Sequence, residues 1–110
     1  MNWTRIYLPE AKEDLAKLDK PVQEEVLRGI RKVSQNPEYP NGYGKPLGSH
    51  AGSNLAGLYK IKLKKAGIRV VYGLRREAGK MTIIIISARA DDFVYREAEK
   101  RRKKHDMQHR

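Results

Sequence analysis

Apolar residues recur along this chain with two different periods, and each change of period marks a new element. Trp3 to Leu8, WTRIYL, is a short β-prone run closed by Pro9 and reads as a strand. From Pro9 the period lengthens. Ala11, Leu15 and Leu18 recur at i, i+4 and i+7, which is one face of a helix. Pro9 suits a first helical position, and Glu10, Glu13 and Asp14 complement the positive end of a helix dipole. Asp19 and Pro21 mark a break and a restart. Val22, Val26, Ile30 and Val33 then form the stripe of a second helix that ends near Asn36-Pro37. Two such helices in succession predict a helical hairpin packed on one face of a sheet.

Residues 37–57, PEYPNGYGKPLGSHAGSNLAG, have the turn chemistry of a loop, long enough to shape one edge of a groove. Its glycines do not form a phosphate-binding Walker loop, because no GK[ST] ending follows them. Tyr43, Lys45 and His50 are its candidates for ligand contact. Leu58 to Leu74, LYKIKLKKAGIRVVYGL, returns to a period of two and predicts two strands joined at Lys65-Ala66-Gly67. Tyr59, Ile61 and Leu63 share one face of the first strand, while Lys60, Lys62 and Lys64 share the other. Ile68, Val70, Tyr72 and Leu74 share a face of the second, with Arg69 opposite. If both apolar rows meet one core, Lys60, Lys62 and Arg69 emerge together as a cationic patch on a rigid sheet.

After a turn at Arg75 to Lys80, the run MTIIIIS from Met81 to Ser87 is continuously apolar and β-branched, as in a central strand covered on both faces. A final helix follows, with Asp91 or Asp92 as its N-cap and FVYREAEKRRKKHD as its body. Its apolar positions are Phe93, Val94, Tyr95 and Ala98, so it is expected to dock through its first turn. The basic run Lys100 to Lys104 then forms a solvated face or a phosphate contact. The predicted order is β-α-α-β-β-β-α: an α+β domain with a small, mainly antiparallel sheet, an N-terminal helical hairpin on one face and a C-terminal helix. The chain is expected to be one domain over residues 1–110, with 104–110 a flexible basic tail.

Charge sharpens this picture. Residues 1–38 carry seven Lys/Arg and seven Asp/Glu, whereas residues 39–110 carry seventeen and six, so the whole net charge of +11 lies in the later part. That imbalance favours a polyanionic partner, nucleic acid first and an acidic protein segment second. No apolar run is long enough to span a membrane, and the N-terminus lacks an apolar signal region, so a cytoplasmic protein is expected. With no cysteine there is neither disulfide nor thiolate site. His50 stands alone, and His105 and His109 lie four apart in a polar tail, so no metal or cofactor is expected.

The candidate chemistry follows from the patch. RNA is cut when a 2′-hydroxyl attacks the neighbouring phosphate. The reaction needs a proton acceptor, positive charge around the phosphorane oxygens and a donor for the leaving 5′-oxygen. Lys60, Lys62 and Arg69, with Arg89 and Tyr95 just beyond the apolar strand, supply cations and titratable groups of that type. Close cations are also expected to lower the pKa of a neighbouring tyrosine or lysine. Structural roles compete with each of these. Strand lysines are ordinary solvent-face residues or edge protection. Arg69 and Arg89 suit ion pairs with Asp91 or Asp92, and Tyr95 suits anchoring the last helix.

The series Tyr59-Lys60-Ile61-Lys62-Leu63, Gly67-Ile68-Arg69-Val70-Val71-Tyr72, an apolar strand, and Val94-Tyr95-Arg96-Glu97-Ala98 resembles the RelE toxins of type II toxin–antitoxin modules. The resemblance runs from about Ile6 to Arg102 and includes the paired helices at the start. It implies a ribosome-dependent endoribonuclease that cuts mRNA in the A site. By the same resemblance Lys60 and Lys62 abstract a proton and stabilise the phosphate and transition state. Arg69 binds the phosphate, Arg89 protonates the leaving group, and Tyr95 acts as base and stacks on the substrate base. Lys64, Lys65 and Arg96 would add RNA contacts. The implied partners are a cognate antitoxin, the 70S ribosome with its mRNA, and operator DNA only through the antitoxin complex. Two other functions remain compatible with the sequence. One is a ParE-like inhibitor of DNA gyrase, which would not require the Lys60/Lys62 pair. The other is a non-catalytic nucleic-acid-binding or co-repressor protein.

Overall fold

The computed structural model describes residues 3–50 and 53–105. Its elements are β1 (Thr4–Tyr7), α1 (Pro9–Ala16), α2 (Lys20–Val33), β2 (Pro46–His50), β3 (Ser53–Leu63), β4 (Ile68–Arg75), β5 (Lys80–Ser87) and α3 (Asp91–Lys104). A short 3-10 turn, Arg76–Ala78, joins β4 to β5 and ends at Gly79, whose φ of 62° is a conformation that a side chain would disfavour. The five strands form one sheet in the order β1-β5-β4-β3-β2. Every pairing is antiparallel except β1 with β5, which is parallel. The α+β class and the helical hairpin are as the apolar periods predict. Among the described residues no helix is long and apolar enough to cross a membrane.

The expected loop over 37–57 is only half loop. Pro46 to His50 forms β2, and β3 begins at Ser53, five residues before the apolar alternation starts at Leu58. Turn-forming residues conceal this pairing. Gly48 (φ 66°) and Gly57 (φ 82°) sit inside strands, where the register between Pro46 and Gly48 shifts. Sheet context overrides local propensity here because the backbone groups of β3 need partners.

The first half of the loop does stay irregular, and it is tied down. Tyr72 hydroxyl donates to the Pro37 carbonyl at 3.0 Å, and Arg76 binds both Glu38 (2.9 Å) and the Tyr59 hydroxyl (2.8 Å). Tyr59 and Tyr72 stack at 5.4 Å between ring centres.

Both faces of the sheet are covered. On one, Val26, Ile30 and Val33 of α2 are buried together with Tyr59, Ile61, Val70 and Tyr72, and Leu63 lies directly under Gly29 of α2. On the other, α3 lies across β3, β4 and β5, burying Val94, Tyr95 and Ala98 against Leu58, Val71 and Ile85. The run of isoleucines in β5 serves both faces through a bulge. Val71 pairs with Ile85 and Tyr72 with Ile83, leaving Ile84 as the extra residue.

β5 outruns its short neighbour β1, whose last pairing is Tyr7 with Ile83. Beyond that point two charged side chains take the place of the missing strand. Asp14 of α1 accepts the Ile86 N–H at 3.0 Å, and Arg101 of α3 donates to the Ile84 carbonyl at 2.9 Å. The two meet each other at 2.7 Å. Burial disfavours the charge on Arg101, yet the carboxylates of Asp14 and Glu97 outweigh it and raise its pKa.

The last helix does not dock through its first turn alone, and its basic run is divided: Lys100, Lys103 and Lys104 are exposed, as a solvated face requires, while Arg101 and Arg102 turn to other elements. Arg102 donates to the Ala56 and Asn54 carbonyls at 2.6 Å each. Lys104 and His105 both reach Glu10 of α1, at 2.7 and 2.9 Å. The helix is therefore clamped at its far end by polar contacts, which the sparse apolar pattern does not reveal. Residues 104 and 105, expected in a flexible tail, belong to this clamp. The remainder of that tail, His109 included, lies outside the described residues.

Candidate active site on the hairpin and the last helix

Pairing between β3 and β4 decides which cations meet. Lys62 stands directly opposite Arg69, and Lys60 opposite Val71, all on the face that α3 covers. Lys60 and Lys62 are two residues apart on that face, roughly 7 Å along the strand. The tight turn after Leu63 that holds the two strands in register closes through Gly67 N–H to the Lys64 carbonyl at 3.2 Å, with Gly67 at a φ of 67°. Lys64 and Lys65 are exposed at that turn. A shallow hollow of about 220 Å³ lined by Lys62, Leu63, Lys64, Gly67, Ile68 and Arg69 opens at this end of the hairpin.

The cationic face is not bare, because α3 begins on it. Asp91, the first residue of α3, forms ion pairs with Arg69 through its Nε and with Lys62 at 3.7 Å. The expected N-cap role for Asp91 or Asp92 is not what is found. Ala90 is the cap residue, and no side chain caps the helix. Asp91 turns its carboxylate toward the strand cations, where the opposite charge is greater than that of a helix terminus. The ion-pair role weighed for Arg69 is thus present, beside whatever role it has toward a ligand.

Tyr95 lies one turn further along α3 and is only 3% exposed. Its pKa is raised, first by burial and then by the Asp91 carboxylate, with Arg69 pulling the other way. The expected depression by neighbouring cations therefore does not occur, because the carboxylate that neutralises them also sits beside the phenol. In this arrangement Tyr95 anchors α3 and its hydroxyl is held neutral.

Arg89 lies between β5 and α3. Its main-chain carbonyl accepts from Arg69 Nη1 at 3.1 Å, and its N–H donates to Ser87 Oγ at 3.0 Å. Its guanidinium rests over the Phe93 ring at 4.1 Å, on the protein surface. Arg96 is exposed on α3. Lys62, Arg69 and Tyr95 are thus gathered around Asp91, and Arg89 joins them through its main chain while its side chain points to Phe93. Lys60 is half-buried further along the strand.

The loop candidates are used differently. The Lys45 carbonyl accepts the Lys60 N–H at 3.0 Å, and Tyr43 lies beneath the Lys32 ammonium of α2 at 5.3 Å. His50 falls in β2. The residues that sequence reasoning undervalued are Asp91 and Phe93. An acid two residues beyond an arginine, with an aromatic two residues further on, was the available signal. Its meaning depends on where the strand cations come to lie.

No family model matches the chain. In sequence it is 28% identical over 95 residues to an Escherichia coli protein named as a RelE-like toxin, covering 84% of this chain and 88% of that one. In structure it superposes on an arginine-substituted variant of the E. coli toxin RelE in the free state. The TM-score is 0.71 and the identity 26%, covering 92% of this chain and 98% of that one. It also superposes on a chain of the RelBE2 toxin–antitoxin complex of Mycobacterium tuberculosis. There the TM-score is 0.66 and the identity 26%, covering 83% and 95% of the two chains. Sequence and fold together thus make this chain similar to the RelE-like toxins over most of its length.

Proposed function

We propose that this protein is the toxin of a type II toxin–antitoxin module and that it cuts mRNA on the ribosome as an endoribonuclease. The observation that carries the reading is the juxtaposition of Lys62 and Arg69 on neighbouring strands, with the start of α3 brought against them. The substrate is an RNA phosphodiester. Its 2′-hydroxyl attacks phosphorus, the bond to the 5′-oxygen breaks, and the products are a 2′,3′-cyclic phosphate and a 5′-hydroxyl. Lys62 and Arg69 are in position to hold the two non-bridging oxygens, where negative charge grows in the transition state. Lys60 lies one step along the strand toward the proton that must be removed. Arg89 reaches the leaving oxygen after its side chain lifts from Phe93. Tyr95 acts through position, since its hydroxyl is held neutral.

A site with no strong base gains most from a substrate held in line by a larger particle, which supports the ribosome as the place of cutting. A basic surface of this kind also suits an acidic antitoxin segment, and the similar structure from M. tuberculosis is that of a toxin–antitoxin complex. The cytoplasm, where ribosomes translate, is the implied compartment. Primer extension on ribosome-bound mRNA, with and without the protein, tests the reading. New ends within the A-site codon are expected. Intact transcripts together with accumulated gyrase–DNA breaks would overturn it in favour of gyrase inhibition.

A further inference from the structure

Several basic residues hold the far end of α3 to the rest of the fold. Arg101, Arg102 and Lys104 bind α1 or strand carbonyls and hold the helix down. Asp91 faces the cations of the site and the buried Tyr95 hydroxyl, and its own helix is left without a side-chain cap. Its carboxylate is two oxygens on one carbon, one facing Arg69 and the other facing Lys62. That is the way two non-bridging oxygens of a phosphodiester would face them.

We propose that Asp91 is a positioning residue: it occupies the phosphate-binding place between Lys62 and Arg69 in the free protein, and RNA binds by displacing it. The inference rests on the nuclease reading for the identity of the anion. The pair is weak enough to exchange, since Lys62, Arg69 and Asp91 are 36%, 30% and 33% exposed and water screens such contacts. The displaced carboxylate has a place to go. The first-turn N–H groups of α3 lack a side-chain partner, and an acid at that end of a helix is favourable. Holding Lys62 and Arg69 apart from other carboxylates keeps the two side chains in the geometry that the phosphate requires. Asp91 also bears on Tyr95, whose hydroxyl its charge helps to keep protonated while Arg69 opposes it.

The test is equilibrium binding of a short RNA to the free protein, followed by fluorescence anisotropy. A 2′-deoxy position at the expected cut makes the RNA uncleavable. Asp91→Asn keeps the shape and removes the charge, and it is expected to bind about twofold to fivefold tighter, the range that a partly exposed ion pair allows. The gain should vanish in Asp91→Asn/Arg69→Ala, and Asp91→Glu should bind no tighter than the wild type. Circular dichroism melts establish that each variant is folded, and Asp91→Ser stands in for the asparagine variant if that one is not. Unchanged or weaker binding by both neutral variants would overturn the proposal, as would a gain that persists without Arg69. Cleavage is scored separately on ribosome-bound mRNA. If Asp91→Asn binds RNA more tightly and wild-type protein cuts nothing, the displacement stands and the nuclease reading falls.

Discussion

Removing Asp14 or Arg101 tests whether two charged side chains really replace a strand at the edge of β5. The pair is well shielded, with side-chain exposures of 12% for Arg101 and 17% for Asp14. Asp14→Ala strips the Ile86 N–H of its acceptor and takes from Arg101 one of its two carboxylates. A buried backbone group left unsatisfied costs about 1–3 kcal/mol. Breaking a buried pair from one side costs about 3–5 kcal/mol. Glu97 remains beside Arg101 at 3.1 Å and softens the loss, so a net cost of about 2–4 kcal/mol follows.

Arg101→Ala is expected to fall in the same range, because the Ile84 carbonyl loses its donor. For a domain of this size that amounts to a fall in Tm of about 10–20 °C. Urea unfolding of both single variants and the double variant, followed by far-UV circular dichroism, measures it. The double loss should be smaller than the sum of the singles by about 1 kcal/mol or more, since they share one contact. Two single variants within about 0.5 kcal/mol of the wild type, or strictly additive losses, would refute the role assigned to this pair.

Three further outcomes are expected. Arg69→Ala and Lys62→Ala should each lower the rate of cutting on ribosome-bound mRNA by about 10²-fold or more, the scale of losing one transition-state donor; rates within twofold of the wild type in both would remove them from the site. The Glu10 carboxyl is held down to about 2 from its ordinary 4.5, chiefly by Lys104, then by its own backbone N–H, with His105 adding to both. A depressed carboxyl stabilises the fold fully above 4.5 and loses that contribution as pH falls toward 2, so Glu10→Gln should flatten the loss of stability across that window in urea titrations at successive pH values. An equally steep loss in the variant would show that the clamp on α3 has no part in it. Finally, Tyr72→Phe leaves the Pro37 carbonyl without its donor and should cost about 1 kcal/mol in the same unfolding assay, with no effect confined to the site.

The chain's own order of residues determined the helices, the hairpin and the identity of the cations. The periods of 3.6 and 2 report directly on which face is buried, and α2 and the β3–β4 hairpin obey them. Alternation alone places Lys62 and Arg69 on one face, as the pairing has them. Three features depended on the tertiary structure. β2 is made of Pro46 to His50, whose local chemistry favours turns, and only the unpaired edge of β3 explains it. The docking of α3 rests on Arg101, Arg102, Lys104 and His105, which carry no apolar signal and find partners up to 95 positions away in sequence. The protonation of Tyr95 was likewise out of reach. Cations nearby in sequence suggest a lowered pKa, but burial and the charge of Asp91 act through space and set the opposite direction. Periodicity is a property of neighbours along the chain, whereas satisfaction of a backbone group or a charge is settled by whatever the fold brings beside it.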